Sequence, residues 1–331
     1  MTKRANKAAT LTDVARRSGT STAVVSYVMN DGPRPVAPAT RERVLAAAAE
    51  LNYRPNRIAR ALRSRTTGVV GLVLADASNP YFGALARHIE QALGKRDKLT
   101  LTGNAGYSAD RQRHFVERFL AAQVDGLVVV SADGGTDVAA EAGTLGVPAV
   151  YVHNRPGGGR APVVAADNDT AVQEAVAHLR THGHARPAFL AGLHDTGPVA
   201  QRLAAWQRAA GTDGTLLRSD YARAASAELT RRLAAEGTLP PALVTATDEQ
   251  AIGVLAGASA AGLSVPGDLA VVSLDGSPDS AYTSPALTAT EQPLHTMAEQ
   301  AVALLLDGTP PPPAPRASLV VRRSCGCTGG S

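Results

Sequence analysis

Between Val69 and Leu274 this chain repeats one unit, a short apolar run followed by a longer stretch whose apolar residues recur at helical spacing. Val69-Val70-Gly71-Leu72-Val73-Leu74 precedes a helical pattern over Phe82 to Leu93, and Leu99 to Thr102 precedes one over Arg111 to Ala122; Leu127 to Val130 and Pro148 to Val152 continue the series. A run without polar alternation suits a strand covered on both faces, and strands separated by helices pair in parallel, so the pattern commits the chain to parallel sheets flanked by helices. A second series begins after Val163: a helix near Ala171 to Leu179, a strand at Ala188-Phe189-Leu190, a helix through Trp206, a strand at Leu243-Val244-Thr245, a helix near Ala251 to Ala261 and a strand from Leu269 to Leu274. Two units of roughly 100 to 130 residues suit two lobes with a cleft between them, since open sheets of this kind hold ligands beyond the carboxyl ends of their strands.

The first 66 residues break both the pattern and the charge balance. They hold Lys3, Lys7 and 11 arginines against Asp13, Asp31, Glu42 and Glu50, a net of +9, whereas the rest of the chain carries −5 of the overall +4. A cationic head on a mildly acidic body points one end at a polyanion. No stretch approaches the roughly 18 to 20 unbroken apolar residues of a membrane span, and Met1 to Leu11 is charged and polar where a signal segment would be apolar. The expectation is a cytoplasmic, nucleoid-associated protein with no membrane partner. Cys325 and Cys327 stand one residue apart, which suits a reducing compartment better than a structural disulfide. With no Cys or His pair nearby to complete four ligands, the C-x-C reads as a free-thiol tail. His178, His182 and His184 are only loosely spaced like ligands, so no metal and no cofactor are expected.

The head carries a folding pattern of its own. Thr10 and Asp13 stand in capping-box spacing around a helix through Leu11, Val14 and Ala15, and Gly19 ends it. Ser21 can cap a second helix. At about 100° per residue, Val24, Val25, Val28 and Met29 fall on one side of it and Thr22, Ala23, Ser26 and Tyr27 on the other. A short helix, a turn and a second helix with an apolar back and a small polar front form a helix-turn-helix, whose second helix lies in the major groove of a duplex. A third helix after Pro38 is expected to present Val44, Leu45, Ala48 and Leu51 to the other two. The basic segment Tyr53 to Arg63 can begin a helix at Pro55 but is too short to hold one alone.

These residues resemble the headpiece of the lactose-repressor family in order and spacing: Leu11-Thr12-Asp13-Val14-Ala15, Gly19, Val25-Ser26-Tyr27-Val28-Met29-Asn30, Thr40-Arg41-Glu42-Arg43-Val44 and Tyr53-Arg54-Pro55-Asn56. The resemblance implies a homodimeric repressor bound to a near-palindromic double-stranded DNA operator. It places Thr22, Ala23 and Tyr27 at base edges and Ser21, Ser26 and Asn30 near phosphates. It makes residues 55–62 a hinge helix, with Asn56, Arg57, Ala59 and Leu62 against DNA and Leu62 as a minor-groove wedge. Tyr27 stands where many members have arginine, Thr20 where valine is usual and Ala37 where a serine usually caps the third helix, so the half-site preference is this chain's own.

The body resembles the same family's sensor region, through Ala77-Ser78-Asn79-Pro80-Tyr81-Phe82, Val124-Asp125-Gly126-Leu127, Asp167-Asn168, Thr247-Asp248, Ser273-Leu274-Asp275 and Ser318-Leu319-Val320-Val321-Arg322. The implied fold class is an all-α three-helix helix-turn-helix headpiece plus an α/β two-lobed, periplasmic-binding-protein-like sensor body. The headpiece would span residues 1–66 and the body 67–331. One lobe would comprise 67–165 with 293–317, the other 166–292 with 318–331, joined by crossings near Ala165, Gln292 and Ala317. A small effector, with a sugar as the favoured class, is expected against Arg202 and Asp275, beside the rings of Phe82 and Tyr221, with Asp248 and Gln292 as further contacts. A salt bridge, a cap or core packing is the alternative for each. Thr247, Gly276 and the short stretch Gln207 to Leu217 depart from the family pattern near this pocket. A transport receptor shares the two-lobed body but needs export, and none of G-x-x-x-x-G-K-[ST], H-E-x-x-H or G-x-S-x-G occurs, so no enzymatic activity is expected.

Overall fold

The computed structural model describes residues 9–30, 34–54, 66–131, 137–157, 159–211, 213–310 and 312–327. Two compact units divide between Thr67 and Gly68. Among its described residues the first holds three helices, α1 (Leu11–Ser18), α2 (Thr22–Met29) and α3 (Pro38–Glu50). Thr10 and Asp13 form the capping box that opens α1, and Gly19, at φ +64°, closes it in the left-handed conformation that glycine adopts without a steric penalty. Ser21 accepts the Val24 amide at 3.3 Å and opens α2. Val14, Ala15, Val25, Val28, Val44, Ala47 and Ala48 fill the space between the three helices.

One expected core residue is misplaced by the sequence reading: Leu45 is 45% exposed, and Ala47 takes the inward position. Val44, Ala47, Ala48 and Leu51 follow the i, i+3, i+4, i+7 stripe of a helix, from which Leu45 is turned by about 100°. The hinge residues Asn56, Arg57, Ala59 and Leu62 lie outside the described residues.

The second unit contains two sheets. The first has strand order β2-β1-β3-β4-β5, all parallel, from β1 (Val69–Leu74), β2 (Leu99–Asn104), β3 (Gly126–Val129), β4 (Ala149–Val152) and β5 (Val163–Val164). The second runs β11-β10-β9-β8-β6-β7, from β6 (Ala188–Ala191), β7 (Leu216–Arg218), β8 (Ala242–Thr245), β9 (Ala270–Ser273), β10 (Thr288–Glu291) and β11 (Ser318–Val320). Among the described strands only β11 is antiparallel, paired with β10. Helices α4 (Pro80–Gly94), α5 (Ala109–Ala121) and α6 (Val138–Thr144) follow the strands of the first sheet; α7 (Asn168–Thr181), α8 (Gly197–Ala210), α9 (Arg223–Ala235) and α10 (Asp248–Ala260) belong to the second. Both faces of the central strands are therefore buried, which is why β3, β6, β8 and β9 are shielded along their whole length while the edge strand β2 is largely exposed.

Helix α11 (Leu294–Asp307) follows β10 of the second sheet yet buries Met297, Ala298, Ala301, Val302 and Leu305 among Val70, Leu72, Val128 and Val150 of the first. The chain thus passes between sheets three times: after β5, between β10 and α11, and between α11 and β11. Beyond β11 the tail folds back over the end of α7. There His178 Nε2 lies 3.1 Å from Cys325 Sγ, and His182 Nε2 lies 3.2 Å from Cys327 Sγ. This corrects the expectation that no His pair lies near the C-x-C: the partners are some 145 residues away in sequence, and only the returning tail joins them. Among the described residues no helix is long and apolar enough to cross a membrane.

Candidate functional site

Two surfaces carry chemistry, and the first is the outer face of α2. Thr22 and Ala23 are exposed, whereas Ser26, Tyr27 and Asn30 are half-buried. Ser21 spends one acceptor on the helix start and keeps its hydroxyl proton for another group. Asn30 turns Nδ2 back onto the Ser26 carbonyl at 2.9 Å. Around this face the described head exposes Arg16, Arg17, Arg34, Arg41, Arg43 and Arg54. Arg16 meets Asp13 at 3.5 Å and Arg17 meets Glu50 at 2.8 Å, solvent-exposed pairs that leave most of the positive field in place.

The second surface is a cleft at the carboxyl ends of the strands. From the first sheet come Ala75 after β1, Tyr107 after β2, Ser131 after β3 and His153 and Asn154 after β4, with Asn79, Tyr81 and Phe82 from the start of α4. Asn79 caps α4 by accepting the Tyr81 amide at 2.9 Å, which fixes both rings at its first turn. From the second sheet come Pro198, Val199 and Arg202 of α8, Tyr221, Thr247 and Asp275. The cavity is about 40 Å³. His153 and Tyr107 adopt positive φ, +70° and +56°, a conformation that costs free energy in non-glycine residues and clusters at functional sites.

Arg202 is 1% exposed. Its Nε donates to Asn168 Oδ1 at 2.8 Å, and its Nη1 donates to Asp275 Oδ1 at 2.8 Å and to the Ala246 carbonyl. Its Nη2 is buried with no hydrogen-bond partner among the described residues. A guanidinium nitrogen sealed from water without an acceptor is costly, by about 1–3 kcal/mol or more, and an oxygen brought by a ligand would recover that loss. Asp275 sits against this cation, yet its pKa is pushed up to about 6, because burial and the neighbouring Asp248 carboxylate outweigh the attraction of Arg202.

A polar relay runs across the back of the cleft. The Tyr81 hydroxyl donates to Gln292 Oε1 at 2.7 Å and lies 2.9 Å from His153 Nδ1. Because the single Tyr81 proton is committed to Gln292, His153 donates from Nδ1 and keeps Nε2 as an acceptor. Burial and the Arg202 charge hold His153 down to about 3, so it is neutral throughout the physiological range. Gln292 passes the relay on, through Nε2, to the Leu274 carbonyl at 3.2 Å and Asp275 Oδ1 at 3.4 Å.

Of the six residues expected around a ligand, Phe82, Arg202, Tyr221 and Asp275 line the cleft. Asp248 and Gln292 stand behind it. The Asp248 carboxylate accepts from Ser273 and Ser280 hydroxyls and from the Gly276 and Ser277 amides, which shapes the turn after β9. Gln292 occupies the crossing into α11. Sequence reasoning passed over His153, Asn154, Ser131 and Tyr107. Each follows the end of a strand, and that rule alone could have found them.

Residues 10–56 match the family model of bacterial regulatory proteins, lacI family, and residues 176–325 match the periplasmic binding protein-like domain. Catabolite control protein A from Priestia megaterium is 33% identical over 303 residues, 89% of this chain and 91% of that protein. A solved lac repressor dimer bound to operator and the anti-inducer ONPF is similar with a TM-score of 0.84 at 26% identity, covering 96% of this chain and 99% of that one. The transcriptional regulator CelR in complex with cellobiose is similar with a TM-score of 0.67 at 27% identity, over 96% of this chain and 99% of that one.

Proposed function

This chain belongs to the lacI family of bacterial regulatory proteins, and from that membership we propose that it represses carbohydrate-related genes and responds to a sugar held between its lobes. It is a DNA-binding transcriptional regulator with a helix-turn-helix head and a two-lobed body; the proposal adds the ligand class, the residues and the mode of control. Two copies pair, as the lac repressor does on its operator, and set two heads on a near-palindromic duplex. Leu99 and Leu101 on the edge strand β2 and Tyr282 are exposed apolar groups that a second copy would cover.

In this reading Thr22, Ala23 and Tyr27 meet base edges, while Ser21, Ser26 and Asn30 meet phosphates. Asn56, Arg57, Ala59 and Leu62 act at the minor groove, with Leu62 as the wedge. The protein works in the cytoplasm, on the nucleoid, and its cleft binds its ligand without transforming it. Arg202 and Asp275 bracket neighbouring hydroxyls of the sugar, and Phe82 and Tyr221 cover its apolar faces. Asp248 and Gln292 support the pocket from behind.

The observation that carries this reading is the unpartnered Nη2 of Arg202 beside the Asp275 carboxylate, a donor and an acceptor sealed in one cleft. The test uses full-length protein and a genomic operator recovered by selection. One carbohydrate class should change operator affinity by about 5- to 150-fold, and Arg202→Lys, which keeps the charge but loses the fork, should abolish that response with operator affinity intact. Sugar-independent binding across monosaccharides and disaccharides would refute the ligand class. Leu62→Ala should weaken operator binding far more than binding to random DNA; equal losses would refute the wedge.

A further inference from the structure

We propose that the end of α7 and the returning tail hold one tetrahedral zinc ion through His178, His182, Cys325 and Cys327. The four ligand atoms all lie within 4.8 Å of one another. His178 Nε2 is 3.1 Å from Cys325 Sγ and 3.7 Å from Cys327 Sγ, and His182 Nε2 is 3.2 Å from Cys327 Sγ. Zinc bonds of about 2.3 Å to sulfur and 2.0–2.1 Å to nitrogen, at tetrahedral angles, set nitrogen–sulfur separations near 3.5 Å. The observed spacings bracket that value, so the donors close on an ion with small shifts of side chains alone.

Several features prepare this arrangement. His178 and His182 are one helical turn apart and turn the same nitrogen, Nε2, toward the thiols. They stand at the carboxyl end of α7, where the helix dipole favours a cation. Gly326, between the cysteines, has φ +111°, and a Cβ there would come within 3.1 Å of His182 Nδ1. Only glycine lets so short a C-x-C turn press against the ring. The turn is anchored from the other side by Ser324, whose hydroxyl donates to the Val271 carbonyl at 2.6 Å and accepts the Thr288 amide at 2.8 Å. The Thr288 hydroxyl lies 3.1 Å from Cys325 Sγ, as a hydrogen-bond donor to a metal-bound thiolate would.

The donor set selects the ion. Two thiolates balance a divalent charge, two neutral imidazoles complete four ligands, and a tetrahedral N₂S₂ set suits zinc. With four protein ligands no position remains open for a substrate, so the ion is structural. It pins the last residues of the chain to α7 and closes a loop of some 145 residues. This inference is independent of which ligand occupies the cleft.

The experiment uses the full chain purified without a polyhistidine tag, stripped with a chelator, exposed to zinc chloride and desalted. Elemental analysis should find about one zinc per chain, and unfolding should move to higher temperature, because an ion bound only by the folded state stabilises it. Cobalt chloride in place of zinc should give the visible bands of tetrahedral cobalt together with thiolate charge-transfer absorption. Cys327→Ser, at a half-buried position that folding tolerates better than the buried Cys325, should lower zinc retention about tenfold or more, and His184→Ala, outside the cluster, should leave it unchanged. Retention below about a tenth of an equivalent by the unaltered chain, equal retention by Cys327→Ser, or cobalt spectra without thiolate absorption would each overturn the assignment.

Discussion

Asp275 is the residue whose chemistry most depends on conditions. Its carboxyl titrates near 6 in the folded chain against an ordinary 3.8, so the native state holds that proton more tightly than the unfolded one. Its contribution to stability is therefore greatest below 3.8 and is lost as pH rises through about 6. If Asp275 holds the effector as proposed, binding runs the opposite way, because only the ionised group offers both oxygens to hydroxyls. Affinity measured by calorimetry should fall as pH drops below about 6, by up to roughly tenfold per pH unit. Asp275→Asn should be weak and pH-independent over that range. Arg202→Ala leaves the buried Asp275 without its cation and should cost about 3 kcal/mol in denaturant unfolding. Gly276 is a further constraint: at φ +62° a Cβ would come within 2.4 Å of the Glu291 Cα, backbone that cannot swing aside. Gly276→Ala should destabilise the body by about 2 kcal/mol, measurable in the same unfolding experiment.

At the scale of elements, α3 begins at Ala37 with no side-chain cap, unlike α1 and α2. Ala37→Ser should supply the missing acceptor and stabilise the helix by about 1 kcal/mol, seen as slower hydrogen exchange of the first-turn amides of α3 in the full chain. The elements most legible in the sequence are those whose signal is local. The caps at Thr10 and Ser21 and the buried strands β1, β3, β8 and β9 are read from neighbouring residues. What the sequence hid depends on the third dimension. Strand β7 has only Leu216 and Leu217 to announce it, β5 is a two-residue strand, and Leu45 was assigned inward because a helical stripe has soft edges. In the cleft, Asp275 was legible because it directly follows β9, whereas Arg202, inside α8, was carried only by the family resemblance. The place of His153 follows from the strand-end rule, but its neutrality and its Nε2 acceptor follow from Tyr81 and Gln292, which lie 72 and 139 positions away.

For the whole molecule, the narrowness of the cleft dictates how it works. A cavity of about 40 Å³ admits little more than a water, whereas small-ligand pockets hold about 300–1,000 Å³. In the reading proposed above, a sugar fits best with the lobes somewhat parted, a movement that three crossings permit as hinged bodies. Gly197 of α8, at φ +51°, packs where a Cβ would meet Asn154 Oδ1 at 2.4 Å, at the meeting of the two lobes. Gly197→Ala should push the Asn154 side chain out of its place in the cleft and change effector affinity several-fold, measured by calorimetry. The position of α11 reaches beyond ligand control to the birth of the protein. A ribosome works from the amino end, and the first sheet's hydrophobic interior waits for Met297 to Leu305 before it can seal. A nascent chain can complete the DNA-reading head early, but its metabolite sensor closes only after Leu294–Asp307 has emerged. A message cut short before that helix would release a head with no working sensor to govern it.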